Sequence, residues 1–466
     1  MKAAAPMANI NQVVLFPYMA QGHFIPFLKL ANVLAAQGLD VAFVTTTASI
    51  SRIFLLQSQS QFHDLDIRFV SLSLPPIEGL PPGCESSDVL SPTEAELLFH
   101  GSHKLSTPFE QWMEQLISET SVKPLCIISD VFLPWTAESA SKFEIPRVVF
   151  HTTGAFGASC LQYFFTDTAE EIIGEQEIIA IRDCSMSINL RQSDLPPVLR
   201  NKGRHSAFLG MVQAYGVAKE SCAATLVNTF DAIEEGYVRY LEETTGKPVW
   251  AVARPTLLHD RQEPAHDCIQ WLDHQKPQSV LYISFGSQVF LSEGQIKGLA
   301  KGIETSGQPF LWTIKDFEGS GVNSCEFLPK GFTEATQERG LVIHGWVPQK
   351  LILSHSSTAC FLSHCGWNST LESICAGVPM IVWPMIHDQP FNARLVVDHL
   401  GIGLQVCEEP DKIPRDEIVE RTVNAVMEEE IGKEMRERAR KLKESIDGVS
   451  YEVNVSAFLS YILNIN

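Results

Sequence analysis

Twice in this chain a short apolar run gives way to a turn, a stretch with helical period and a second apolar run, and this grammar restricts the fold more than any other feature. The first instance is QVVLFPYMAQGHFIPFLKLANVLAAQGLDVAFVTTT, in which Phe24, Leu28, Ala31 and Leu34 share one helix face and Gly38 marks the stop. KPLCIISDVFLPWTAESASKFEIPRVVFHTT repeats the order. A second series begins near Val280 with SVLYISFGS, SEGQIKGLAKGIETSG, PFLWTIK and GLVIHGW. Short apolar strands alternating with helices require parallel sheets covered on both faces. The chain therefore reads as α/β, with two doubly wound Rossmann-like domains.

Between the two series, TTGKPVWAVARPTLLHDRQEPAHD mixes Pro, His and charge without an apolar period, and the domain boundary is placed there. The expected division is 1–250, 251–450 and a C-terminal segment, 451–466, packing back on the first domain. With 466 residues, both domains are large enough for a core. In open α/β sheets ligands bind beyond the carboxyl ends of the strands, so residues just after strands are the candidates.

Charge excludes some partners. Lys and Arg number 35 against 55 Asp and Glu, a net −20, and no basic block offsets it, which disfavours nucleic acid and anionic lipid. Eleven cysteines without a CxxC pair argue against both a disulfide framework and structural zinc. MKAAAPMANINQ lacks an apolar core for a secretory signal, so a cytoplasmic location is expected. Residues 148–166 are too interrupted by polar residues to serve as a span of about 20 apolar residues, so no membrane anchor is expected.

The segment from Trp346 to Gln389, WVPQKLILSHSSTACFLSHCGWNSTLESICAGVPMIVWPMIHDQ, lays Trp, His, Asp and Gln over a βαβ pattern. A strand to His364, a turn through Gly366 and a helix starting near Asn368 or Ser369 would offer free N–H groups to a phosphate. Ser369 and Glu372 also have the spacing of a capping box. Taken singly, His364, Trp346 and Trp367 read as core residues.

Taken together, Trp346, Pro348, Gln349, His364, Cys365, Gly366, Trp367, Asn368, Ser369, Glu372, Pro379, Trp383, Pro384, Asp388 and Gln389 resemble the plant secondary-product signature of the family 1 UDP-glycosyltransferases. The resemblance implies the GT-B fold, two Rossmann-like domains facing a cleft. It implies that Trp346 stacks on uracil, that Gln349 meets the uridine edge and that Glu372 accepts from the ribose hydroxyls. His364, Trp367, Asn368 and Ser369, with Ser287 from the LYISFGS strand, would form the diphosphate site. Asp388 and Gln389 would grip the sugar, with Gln at the final position pointing to glucose. UDP-glucose is then a co-substrate, and neither cofactor nor metal is implied. Cys360 and Arg254 depart from the family pattern, at a usual Gly and at a usual Gly-Pro.

A transferase also needs a base. His23 follows the first strand and Asp130 a later one of the same sheet. An imidazole titrating near pH 6.5 suits proton abstraction, and a carboxylate can fix its tautomer and steady the imidazolium. Alone, Asp130 could equally be an N-cap. Both match the family's base and its partner, and Thr152 lies where relatives contact the sugar 6-hydroxyl. The expected reaction is inverting glucosyl transfer to a hydroxyl of a small hydrophobic acceptor, a flavonoid, other phenolic or terpenoid. Loops 73–90 and 154–174, with Phe156, Phe164 and Phe165, are the expected acceptor wall. The rival reading, an idle nucleotide-sugar binder, would not need His23 and Asp130. A nicotinamide oxidoreductase is disfavoured because GIGLQV lacks the third glycine of the dinucleotide fingerprint.

Overall fold

A computed structural model describes residues 11–59, 67–165, 173–174, 177–183, 186–200, 206–254, 267–315, 324–407, 412–448 and 451–465. Residues 255–266, half of the expected interdomain linker, and the first ten residues lie outside the described chain.

The first sheet contains β1 (Gln12–Phe16), β2 (Asp40–Thr46), β3 (Ile67–Leu72), β4 (Cys126–Asp130) and β5 (Arg147–His151). After a separate antiparallel hairpin, β6 (Ile178–Asp183) and β7 (Met186–Arg191), β8 (Ala224–Val227) and β9 (Val249–Ala251) complete it. Its order is β3-β2-β1-β4-β5-β8-β9, with every pair parallel. The second sheet holds β10 (Val280–Ser284), β11 (Phe310–Ile314), β12 (Gly340–His344), β13 (Thr358–Ser363), β14 (Met380–Val382) and β15 (Gly403–Gln405) in the parallel order β12-β11-β10-β13-β14-β15. In each sheet the order reverses beside the first strand of its series. That reversal opens a crevice at the carboxyl ends of β1 with β4 and of β10 with β13.

Continuous apolar strands explain the burial. Every residue of β1, β4, β5, β10, β11 and β13 is buried, as expected for parallel strands covered on both faces. The Tyr451–Ile465 helix lays Val455, Phe458 and Ile462 into the core of the first sheet. Two helices, Asp416–Glu428 and Glu430–Asp447, follow the second sheet, and they are separate because Glu429 takes an extended conformation (ψ 169°) between them. No described helix is long and apolar enough to cross a membrane.

Candidate active site

β1 ends at Phe16, and the Gln21–Ala36 helix begins five residues later, placing His23 in its first turn. β4 ends at Asp130, beside β1 in the sheet. Asp130 Oδ2 lies 2.7 Å from His23 Nδ1 and accepts the backbone N–H of Tyr18, while Oδ1 accepts that of Phe132 at 3.0 Å. The carboxylate is fully buried and the imidazole 19% exposed. Asp130 is thus no N-cap of its own helix; it fixes an imidazole. Burial pulls the His23 pKa down, but the charge of Asp130 and its hydrogen bond outweigh this and raise it above the ordinary histidine value. With Nδ1 engaged, Nε2 is the nitrogen left for a substrate proton.

Thr152, expected on the sugar, sets its hydroxyl 3.1 Å from the same His23 Nδ1, and its carbonyl accepts from Asn228. Its neighbour Thr153 instead reaches across the cleft, donating to Asp388 Oδ2 at 2.5 Å, which also accepts from Asn392. No distinctive pattern in the sequence marks Thr153. Gln389 is 4% exposed, and its Oε1 accepts the N–H groups of Met385 and Ile386, so only its amide end remains to offer a sugar.

The helix of the second half runs from Trp367 to Ala376 with Gly366 as N-cap and no side-chain cap. The expected start at Asn368 or Ser369 and the Ser369–Glu372 capping box are therefore corrected. Cys365 turns the chain with φ 63°, which starts the helix earlier and puts Ser369 inside its first turn. Ser369 and Glu372 both accept from Gln349 Nε2, at 3.1 and 2.8 Å, while Tyr282 donates to Gln349 Oε1. Gln349, Ser369 and Glu372 thus meet as one polar cluster, with Trp346 46% exposed in the turn after β12.

The Trp367 side chain is buried between the two halves. Its indole is 5% exposed and donates to Asn228 O of the first half at 2.6 Å. A Cβ at Gly154 would stand 2.6 Å from that ring. The side chain is a joint between the halves, and only its backbone remains for a ligand at the helix start.

Asn368 makes a second joint. Pro26, inside the first helix, has no N–H to give the Gly22 carbonyl four residues back. Asn368 Nδ2 donates to that carbonyl at 3.0 Å. Gly22, the residue before His23, is thereby tied to the Trp367–Ala376 helix.

His364 leaves β13 buried, 7% exposed, against Gly286 (φ +73°), where a Cβ would come within 2.5 Å of the ring. Burial, reinforced by the charge of Lys315, pushes its pKa down to about 3 and keeps it neutral. Among the described residues, His364 Nδ1 and Asn368 Oδ1 have no hydrogen-bond partner, although both are buried. Orphaned polar atoms of this kind at a helix N-terminus suit a polar ligand. Ser287 stands in the turn after β10, next to Gly286.

A model of the family described as glycosyltransferase, N-terminal domain, matches residues 10–254, and one described as UDP-glucoronosyl and UDP-glucosyl transferase matches 258–443. The chain belongs to the UDP-glycosyltransferases. It is 34% identical to a scopoletin glucosyltransferase of Nicotiana tabacum over 92% of either chain. Its fold superposes with a TM-score of 0.83 on UGT73P12 of Glycyrrhiza uralensis, solved with glycyrrhetinic acid 3-O-monoglucuronide, at 25% identity over 98% and 96% of the two chains. The match to Phytolacca americana UGT2, solved with UDP-2fluoro-glucose and pterostilbene, has a TM-score of 0.79 at 27% identity over 97% and 99%. The two parallel sheets and their facing crevices are the GT-B arrangement of this family.

In this glycosyltransferase the three phenylalanines expected on the acceptor wall are buried. Phe156, Phe164 and Phe165 are 1%, 0% and 5% exposed, and Phe164 stacks on Phe391 of the second half. They are core and interface residues. The rings beside His23 are Tyr18 and Phe132, centred 5.4 and 5.1 Å from it, with Phe99 5.8 Å from Phe132. Their positions, 18, 99 and 132, share no sequence period; only the fold assembles them. No group of three or more His, Cys, Asp or Glu among the described residues is arranged to hold a metal ion.

Proposed function

We propose that this UDP-glycosyltransferase transfers glucose from UDP-glucose to a hydroxyl of a small, largely apolar aromatic or polycyclic acceptor, with inversion to a β-O-glucoside. The observation that carries the reading is the His23–Asp130 pair, whose imidazole is wedged between Tyr18 and Phe132. An apolar acceptor held by those rings would present its hydroxyl to Nε2. His23 takes the proton, the oxygen attacks the anomeric carbon, and the bond from that carbon to the diphosphate oxygen breaks, UDP leaving with the electron pair. The imidazolium is stabilised by Asp130 until the proton passes to water.

Trp346 serves the uracil, Glu372 and Gln349 the ribose and base edge, and His364, Asn368, Ser369, Ser287 and the backbone at Trp367 the diphosphate. Asp388, held by Thr153 and Asn392, and the amide of Gln389 face the sugar. Donors fixed in place before reaction stabilise the charge that develops on the departing diphosphate. A relative named for scopoletin, and structures holding pterostilbene or glycyrrhetinic acid 3-O-monoglucuronide, support an acceptor of that chemical range.

The test is purified protein with UDP-glucose, UDP-galactose or UDP-glucuronate and a panel of phenolic and triterpenoid alcohols, products identified by mass and anomeric coupling. A β-glucoside formed preferentially from UDP-glucose is expected. Equal use of the three donors, or an α-linked product, would overturn the proposal.

A further inference from the structure

β11 lies beside β10, with Ile283 level with Trp312, so Lys315 emerges at the same sheet end as the Gly286–Ser287 turn. Lys315, Gly286, Ser284, Phe285 and Thr313 line one small cavity there. The side chain is partly buried, and among the described residues it has neither an ion-pair nor a hydrogen-bond partner. A desolvated ammonium without an anion is costly, so such a group is retained where a ligand supplies the charge.

The surroundings select the ligand. Across the cleft, Arg52 is already committed, 3.7 Å from Asp88 and within 3.2 Å of Gln21 Oε1. Gln288, next to Ser287, donates to the same Asp88 at 3.2 Å and so draws the β10 turn against the first half. Among the described residues Lys315 is therefore an uncommitted cation, near enough to His364 for its charge to act on that ring, and His364 and Asn368 carry buried polar atoms without a partner. Its burial and the neighbouring Arg52 charge both lower its pKa, as expected for an ammonium awaiting a counter-ion.

We infer that Lys315 is a donor-binding residue that pairs with the diphosphate of the nucleotide sugar and neutralises charge on the departing UDP. This rests on the reading of His364, Asn368 and Ser369 as the diphosphate cradle. A charge-assisted contact to phosphate contributes more than a neutral hydrogen bond and is lost with the ammonium.

Calorimetric titration of UDP and of uridine into wild type, Lys315→Met, Lys315→Gln and Lys315→Arg separates the possibilities, with His364→Ala measured in parallel. Lys315→Met and Lys315→Gln are expected to bind UDP roughly tenfold more weakly, with a flatter dependence on salt and unchanged uridine affinity. Lys315→Arg should recover most of the loss. UDP affinity unchanged in both neutral variants, or an equal loss for uridine, would overturn the inference. If His364→Ala alone weakens UDP, only the role of Lys315 fails; if no variant does, the cradle reading fails with it.

Discussion

Asn368 in the second half donates to the carbonyl of Gly22 in the first at 3.0 Å, one residue before His23. That carbonyl is available because Pro26 removes its helical partner. Three further contacts cross the same cleft: Trp367 to Asn228, Thr153 to Asp388 and Gln288 to Asp88. His23 and the Trp367 helix are thus tied together across the cleft, and the proposed displacement at carbon depends on positioning of this kind.

Pro26→Ala should expose this coupling. The new N–H would compete with Asn368 for the Gly22 carbonyl while relieving a helix-interior proline that costs about 3 kcal/mol. Thermal stability equal to or above wild type, with KM for UDP-glucose raised several-fold, is the expected result. An unchanged KM in a folded variant would show that the Asn368 contact does not couple the halves.

His23→Ala should reduce turnover of an alkyl alcohol by about 10²–10⁴-fold or more while UDP affinity stays at the wild-type value. An acceptor with a far more acidic hydroxyl should lose less, because its proton needs less help to leave. Equal losses for the two acceptors, or weakened UDP binding, would make His23 a structural residue.

Asp130→Asn should move the acidic limb of the kcat/KM pH profile to lower pH. The raised His23 pKa comes from Asp130 working against burial; without the charge, burial remains and pulls the pKa down. The reactive neutral imidazole then persists to lower pH, but the imidazolium formed in the reaction loses its counter-charge, so the plateau falls by roughly 10²-fold or more. An acidic limb that stays in place would mean that Asp130 does not set this pKa.

Trp346→Ala should weaken UDP binding by about 1–3 kcal/mol, the usual range for stacking on a base. The indole is 46% exposed, so truncation leaves no large internal cavity and the melting temperature should hold. UDP affinity unchanged in the folded variant would remove Trp346 from the nucleotide site.

Local pattern was sufficient for the architecture. Apolar runs such as Val13–Phe16 and Leu281–Ser284, alternating with helical period, leave little besides buried parallel strands, because backbone pairing and burial act on short segments. His23 and Asp130 each sit at a strand exit, where α/β folds gather ligands, but it was the family resemblance that singled them out as a pair. The sequence by itself therefore determined two wound sheets and most of the residues around their crevices. Which atoms those residues offer was decided by tertiary contacts alone. Trp367 became a joint because Asn228 and Gly154 lie against it. Ser369 and Glu372 left their expected cap because the turn at Cys365 starts the helix at Trp367, and both accept from Gln349 instead. Phe156 and Phe164 went to the core, while Tyr18 and Phe132 came to His23 with Phe99 packed against Phe132. Such choices turn on hydrogen bonds and packing between residues far apart in the chain, and no spacing or period within one segment encodes which distant partner will satisfy a polar atom.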